Sequence, residues 1–588
     1  MNNFSSLKKA GLLSALILLI ALGAQAQRDF RVNLTKHGQD VANLVPSDAW
    51  LVMTYELIPA SSQVALFNRI KESLSREGLS QKIDEAINMA CNSVPLMRDI
   101  HPYFISSVTL CIWGDPNKRA SSGMTFFITI SDHSAVQKAL KEDAVLTTID
   151  GVKIYSLPNS KELHFTLVGN YLVISMTKAN LVRIARIYET PSKSLINSPA
   201  FQTAQASLPI ESNMQLFLKT NIFNKFPNNT LKTPKQKRDF ALALKCLNTC
   251  PWVAMSCAFQ DTGYSMSLSV QLNSTILKSL NTLNAITPIS LENVSYLPEG
   301  AISFVTISQP SKLWPLFIDP AEQYPELLKS MIMEIAKIEK ETGLKFNEQF
   351  LPSFDGEMTV GIYPSDTKKV SPECIVILGS QNGANPAGSA QEYFKNIQSG
   401  RVQLQPGDRL ALSAIQFDGE TIYKLVETST IKAKVSGKKR SPSVPATEED
   451  VTYFYLPGND VLVTSPSKRA IMRTIACNQQ KIGSITQQPA FKNMLSQKSS
   501  NAQAFMMYDM SVIAQQAFNS PLTKIVNNAF NGACVVNVGY DGSMIEADMF
   551  VPFDWDQYIR SAKNLMSQFE NRTNESSPPK TLPKKKKK

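Results

Sequence analysis

Only four histidines, His37, His101, His133 and His164, occur in 588 residues, and all lie in the N-terminal half. Proton transfer near neutral pH falls to histidine first, so the C-terminal half has no such base or ligand to offer. The run Ser131-Asp132-His133-Ser134 holds the three residue types of a hydrolase triad. Triad members meet in space from distant chain positions, so as neighbours they read as a helix start with Asp132 at the N-cap. No Walker-type phosphate loop, G-x-G-x-x-G, H-E-x-x-H or G-x-S-x-G occurs. Asp and Glu are too many and too evenly spread to single out a glycosidase pair, and Glu448, Glu449 and Asp450 end a loop-like stretch. No catalytic residue, cofactor site or metal site is therefore assigned.

Eight cysteines remain. Cys111, Cys374 and Cys534 sit inside apolar strand-like runs, where cysteine behaves as a small buried hydrophobe. Cys246 and Cys250, four apart, have zinc-like spacing but neither a histidine nor a second cysteine pair beside them. One disulfide fits this pattern; a disulfide-dependent fold does not. Among cations, Lys178 and Arg183 recur as Lys468 and Arg473, each pair on a predicted helix after a strand and a hydroxyl cap. They are candidate anion sites near helix N-termini. The competing reading, preferred here, is that Leu181, Val182 and Ala185 pack inward while the cations stay in solvent.

The elements carrying these residues occur twice. "LVPSDAWLVMTYEL" from Leu44 answers "YLPEGAISFVTISQ" from Tyr296, and "SSVTLCIWG" from Ser106 answers "GEMTVGIYP" from Gly356. "DGVKIYSLP" from Asp150 answers "DGETIYKLV" from Asp418, and further phrases follow in the same order to Val536. The offset grows from 252 at Pro46/Pro298 to 268 at Asp150/Asp418 and 290 at Phe201/Phe491, so the copies differ by loop length. The largest step marks Thr428–Asp450, rich in Ser, Pro, Lys and Glu, which reads as a mobile insert between two strands. Strands are expected at Ala144–Ile149, Lys153–Leu157, Leu163–Val168 and Tyr171–Ser175, with a helix capped by Thr177 and its counterpart after Ser467. Such short turns between strands demand antiparallel pairing. The expected class is α+β: a tandem duplication of two similar domains, each a largely antiparallel sheet with packed helices. The expected bounds are 41–285 and 293–568. The repeated aromatics Tyr155, Tyr423, Phe201 and Phe491 are expected in the cores, and the two Asp-Gly pairs in turns.

The chain ends set its destination. Lys8 and Lys9, the apolar "AGLLSALILLIALG" and Ala24-Gln25-Ala26 make a signal peptide (1–26) cleaved before Gln27. The apolar run is shorter than the roughly 20 residues of a spanning helix, and no later run reaches that length. No cysteine lies at the cut, which argues against lipid attachment. The expected location is the periplasm or the outer-membrane surface. A mature chain this long exceeds the roughly 250–300 residues that one core supports. Of the net charge of +11, two units are Lys8 and Lys9 and six are Lys580 and Lys584–Lys588, which leaves +3 for everything else. The basicity belongs to the tail and gives no support to a nucleic-acid-binding fold. That tail (569–588) ends in "NESSPPKTLPKKKKK", whose one apolar residue, Leu582, is too little to order it. Lys584, Lys585, Lys586, Lys587 and Lys588 can hold an anionic surface at about 1 kcal/mol per lysine, or simply remain solvated, the reading preferred.

The signal peptide, the "VPSDA" and "LPEGA" strand openings and the duplicated strand–helix units resemble a family of exported Bacteroidetes proteins known only as a domain of unknown function. The likeness runs from about Val41 to Phe553. Many members look like lipoproteins, whereas this chain lacks the lipidation cysteine. The resemblance implies no catalytic residue, cofactor or substrate. The sequence favours a non-enzymatic envelope protein that binds or scaffolds envelope proteins or glycans through its two domains. A hydrolase or glycan-active enzyme and an electrostatic adhesin acting through the lysine tail are the alternatives.

Overall fold

Strand-forming residues dominate the buried segments. β1 (Ala49–Glu56) and β2 (Phe104–Trp113) are rich in β-branched and aromatic residues, among them Trp50, Val52, Thr54 and Tyr55 in the first and Phe104, Val108, Thr109, Ile112 and Trp113 in the second. The computed structural model describes residues 40–575 except 57–58, 93–94, 116–122, 159–162, 226–232, 234–235, 238–239, 242–243, 245–246, 275–285, 313–338, 340–347, 349–350, 365–371, 381–384, 403–408, 432–445, 489–490, 493–494, 496, 511–528 and 531. The expected signal peptide and Lys584–Lys588 lie outside the described residues, as does Cys246. The fold is mixed α/β and rich in antiparallel sheet. The chain divides into two compact units: unit 1, Met1–Asn273 with Ala514–Asn531 and Phe550–Lys588, and unit 2, Ser274–Ile513 with Gly532–Met549.

Unit 1 continues with β3 (Gly123–Ile130), β4 (Val145–Ile149), β5 (Val152–Ser156), β6 (His164–Val168), β7 (Tyr171–Ser175), β8 (Met214–Lys219), β9 (Trp252–Gln260) and β10 (Gly263–Gln271). Pairing, antiparallel throughout, runs β4-β5-β6-β7-β3-β2-β1-β8-β9-β10. Helix α1 (Val64–Arg76) follows β1, then α2 (Leu79–Asn92) and α3 (Pro95–Ile100). Helix α4 (His133–Asp143) begins at the expected cap, with Asp132 Oδ1 accepting from Ala135 N at 2.9 Å. That bond and the Ser134 hydroxyl hold the Asp132 carboxyl below its ordinary value. Helix α5 (Lys178–Glu189) starts at Thr177 as expected and buries Leu181, Ile184 and Ile187 on β5–β7. Helix α6 (Pro199–Ser207) buries Phe201. The core gathers Phe104, Ile128, Tyr155, Phe165, Leu172 and Ile174.

Unit 2 has β11 (Ser303–Ser308), β12 (Glu357–Tyr363), β13 (Glu373–Gly379), β14 (Arg409–Phe417), β15 (Glu420–Ile431), β16 (Ala446–Tyr455), β17 (Val461–Ser465), β18 (Ala504–Asp509), β19 (Ala533–Tyr540) and β20 (Met544–Pro552), whose last residues count with unit 1. Its order, β14-β15-β16-β17-β13-β12-β11-β18-β19-β20, is that of unit 1 strand for strand. Register agrees as well. Thr54 faces Thr109 and Thr306 faces Thr359, with buried hydroxyl pairs at 3.0 and 2.9 Å. Helix α7 (Pro386–Gln398) packs Phe394 against Tyr423, which is half-buried, whereas Tyr155, Phe201 and Phe491 are buried as expected. Helix α8 (Lys468–Asn478) starts at Ser467, whose hydroxyl accepts from Ala470 N at 3.2 Å.

Three expectations are corrected. Thr428–Ile431 and Ala446–Asp450 extend β15 and β16 as paired strand, because the antiparallel ladder that starts at Ile422↔Tyr455 runs on without a break to Ile431↔Ala446; 432–445 lie outside the described residues. Helix α9 (Trp555–Glu575) carries helix seven residues past the expected start of a disordered tail at 569. That helix, expected with the second repeat, groups with unit 1. Trp555 meets Phe259 edge-on at 5.2 Å and donates Nε1–H to Gln260 O at 3.0 Å, while Lys563 pairs with Glu77 of α1 at 3.0 Å.

Asp150 and Asp418 sit at φ 51° and 54°, each followed by glycine at φ 82°. Two successive positive φ angles make the tight hairpin turn of β4–β5 and of β14–β15. Replacing Gly151 or Gly419 by alanine forces Cβ into the left-handed region and is expected to cost about 1–2 kcal/mol at each site. Urea unfolding of G151A and G419A should show a lowered midpoint for both; an unmoved midpoint in either would refute the turn assignment.

Candidate functional site

The antiparallel register brings the start of β1 to the ends of β2 and β8. Ala49 pairs with Trp113, and Leu51 with Leu218. Residues that are far apart in sequence therefore meet at one sheet end: Asp48 and Trp50, then Trp113-Gly114-Asp115, then Lys219 and the 3-10 turn Thr220–Lys225. The first turns of α5 add Asn180 and Arg183. Together they line a cleft of about 590 Å³, within the size range of small-molecule sites.

Trp113 forms the floor and is almost wholly buried. Gly123, first residue of β3, lies flat against it; a Cβ there would stand 2.3 Å from the indole ring. The Arg183 guanidinium covers the ring at 5.8 Å from its centroid, and Arg183 Nη2 donates to Asp48 Oδ1 at 2.6 Å. Both partners of that ion pair are 40% or more exposed, so it contributes about 1 kcal/mol or less and serves chiefly to aim the side chain.

Lys219 enters from the end of β8 and donates Nζ–H to Ser47 O at 2.9 Å. Partial burial pulls its ammonium below the ordinary lysine value, with Asp48 opposing. Beneath lies Cys111, fully buried, its thiol pushed up by burial and then by Asp48. Asn180 is buried and gives Nδ2–H to Ser175 Oγ at 3.2 Å. The cleft thus offers three cations, Arg183, Lys219 and Lys225, against two carboxylates, Asp48 and Asp115, beside an indole wall. Chemically this is a site of fixed positive charge with an apolar side, suited to a small organic anion.

Of the cations expected to matter, one lines this cleft. Lys178 turns instead to β4, with Nζ 3.4 Å from Thr147 Oγ1. It also adds to the burial that lowers the His164 imidazole, whose Nδ1 is 2.8 Å from Ser156 Oγ. That histidine pair is not part of the cleft lining. In unit 2, Arg473 lies 5.1 Å over the Tyr363 ring and donates Nη2–H to Glu299 O at 2.7 Å, while Lys468 is exposed. Tyr363 is buried, gives its hydroxyl to Pro298 O at 2.9 Å, and has its ionisation pushed up by burial. So each arginine of the matched pairs works at a turn, and neither shares a site with its lysine partner.

Among the lining residues missed in the sequence are Asp48, Trp50, Trp113 and Lys219. Their only signal was position: charged or aromatic residues at the ends of apolar strands. Among the described residues, no group of three or more His, Cys, Asp or Glu can hold a metal ion, and no helix is long and apolar enough to cross a membrane. Cys111, Cys250, Cys257, Cys374, Cys477 and Cys534 are free thiols.

A profile of the family described as "Protein of unknown function (DUF3352)" matches residues 10–399, about two thirds of the chain. No curated protein matches. Among solved structures, "Structure of crystal form I of TP0453" aligns at 15% identity and a TM-score of 0.21, covering 43% of this chain and 87% of that one. "Structure of crystal form IV of TP0453" does so at 14% identity and the same score, covering 41% and 83%.

Gly123→Ala tests the floor of the cleft. The added methyl has no room beside Trp113, so the variant should lose about 1–3 kcal/mol by overpacking and shift tryptophan emission to the red as the indole is displaced. Unchanged stability and emission would show that Trp113 is not wedged there.

Proposed function

The chain belongs to the DUF3352 family, whose function is unknown, and we propose that it is an exported, non-enzymatic binding protein that holds a small organic anion in the cleft of unit 1. The observation that carries this is a single cleft lined by Lys219 and Lys225 together with Arg183, which lies over the Trp113 ring. Opposite charge, donors and an apolar wall meet there in a cavity of ligand size. The lining groups are braced by neighbours, Arg183 by Asp48 and Lys219 by Ser47 O, so the rim keeps its geometry without a ligand.

Export is supported by the N-terminal charge, apolar run and small-residue site, and points to the cell envelope. The domain plan we propose is a tandem duplication. It is supported by the repeated phrases, by ten strands in one order in each unit, and by matched registers. The isolated bridges Pro46↔Ser194 and Pro298↔Ser484 add to it, since each fixes the proline-led turn before its unit's first strand.

The test is calorimetric titration of the mature chain with inorganic phosphate and with benzoate in low-salt buffer. One or both should bind, and Lys219→Met should weaken binding at least tenfold, about 1.4 kcal/mol. The pH dependence has a definite sign. Anion binding requires the charged ammonium, and burial lowers the pH at which it is lost. Affinity should therefore fall as pH rises, starting below the range where an exposed lysine discharges. Failure of both probes to bind, or affinity that rises through that window, would refute the proposal.

A further inference from the structure

Aligning the two units strand by strand separates what holds the fold from what is peculiar to the cleft. The pairing Leu51↔Leu218 in unit 1 corresponds to Ser303↔Tyr508 in unit 2, so the next residues, Lys219 and Asp509, are counterparts. The pairings Val52↔Cys111 and Phe304↔Gly361 make Trp113 and Tyr363 counterparts in the same way. Arg183 and Arg473 each lie over that aromatic ring. Each also donates to the turn that precedes its unit's first strand, at Asp48 in one and Glu299 O in the other. The arginine–aromatic clasp is thus common to both units and is accounted for by what it does to the turn.

Four other lining positions, Asp48, Trp50, Asn180 and Lys219, are not common. Asp48 corresponds to Gly300, whose φ of +90° disfavours any side chain, and the arginine there donates to a neutral carbonyl in place of a carboxylate. Trp50 corresponds to Ile302, Asn180 to Ala470, and the cation Lys219 to the anion Asp509. A reversal of sign at one strand end turns an attractive position into a repulsive one for the same ligand. Lys219 also keeps donors to spare, since one of its three N–H groups goes to Ser47 O.

We infer that the anion site is confined to unit 1, that Lys219 is its specificity-determining cation, and that Arg183 is a positioning residue that holds the turn carrying Asp48. The inference rests on the binding role proposed above and names the group that reads the ligand. The ligand is a carboxylate or a phosphate monoester, which a single half-buried ammonium in a cleft also lined by the half-buried Trp50 accommodates. The phosphate and benzoate arms separate the two.

The experiment uses the full mature chain with four variants: Lys219→Met, Lys219→Asp, Arg183→Met and Arg473→Met. Calorimetry reports stoichiometry and affinity for inorganic phosphate and for benzoate, and urea unfolding reports stability. The wild type should bind one anion per chain. Lys219→Met should weaken it at least tenfold and Lys219→Asp should abolish it, both with a near-native unfolding midpoint. Arg473→Met should keep one site at wild-type affinity, and both arginine variants should lower the midpoint by similar amounts. Two sites per chain would overturn the confinement to unit 1. A Lys219→Met chain that binds as the wild type does would overturn the role of Lys219. An Arg183→Met chain that loses binding at an unchanged midpoint would make Arg183 the ligand-reading group and overturn its positioning role. A wild type that binds neither probe would instead sink the binding role itself.

Discussion

The register of β1 between β2 and β8 is the constraint on which the rest of unit 1 depends. Successive strand residues face opposite sides, so a slip of one residue would exchange every inward and outward side chain. Here the register is specified by buried polar pairing as well as by apolar packing. Thr54 and Thr109 satisfy each other's hydroxyls in the interior, and a slipped strand would leave both without a partner. The same register places Asp48, Trp113 and Lys219 at one end. Position, burial and charge at the cleft are all consequences of that one alignment.

Energy and geometry divide differently between floor and rim. The floor is held by packing: Trp113 is buried, with a glycine on one side and a guanidinium on another. The rim is held by exposed ion pairing that contributes little stability. What the rim contributes is orientation. Lys219 lies between these limits, half-buried, with a carbonyl as hydrogen-bond partner and Asp48 close enough to offset part of its desolvation. A cation in that state interacts with an incoming anion more strongly than one in open water, because less solvent screens the charge.

The second unit shows how the same frame is finished with other side chains. Its threonine pair, aspartate–glycine hairpin and arginine–aromatic clasp match those of unit 1 in place. These are the features that turns and strand registers require. The features that differ, Gly300, Ile302 and Asp509, all lie at the sheet end where unit 1 has its cleft. Residues that hold backbone geometry are tied to the fold, whereas residues facing a cleft answer only to what occupies it.

Much of the architecture was legible in the sequence because it is written in local terms. Alternating apolar runs between short turns implied antiparallel strands, and Asp132, Thr177 and Ser467 announced helix starts through their hydroxyl or carboxyl groups. The Asp-Gly pairs announced hairpins because few other dipeptides accept two positive φ angles. The docking of α9 on α1 was not legible, since an amphipathic pattern states which face of a helix is buried but not against what. Nor was the cleft. Lys178 and Arg183 share one helix and looked like one site, yet they serve Thr147 and Asp48 respectively. Lys219 becomes part of a site only where β8 lies beside β1. The sequence determined, by itself, which segments become strands, helices and turns, because those choices depend on neighbours within a few residues. Only the tertiary structure decided which strand ends share a cleft, because that depends on pairing between residues 64 positions apart in one case and 167 in the other, which no local pattern encodes.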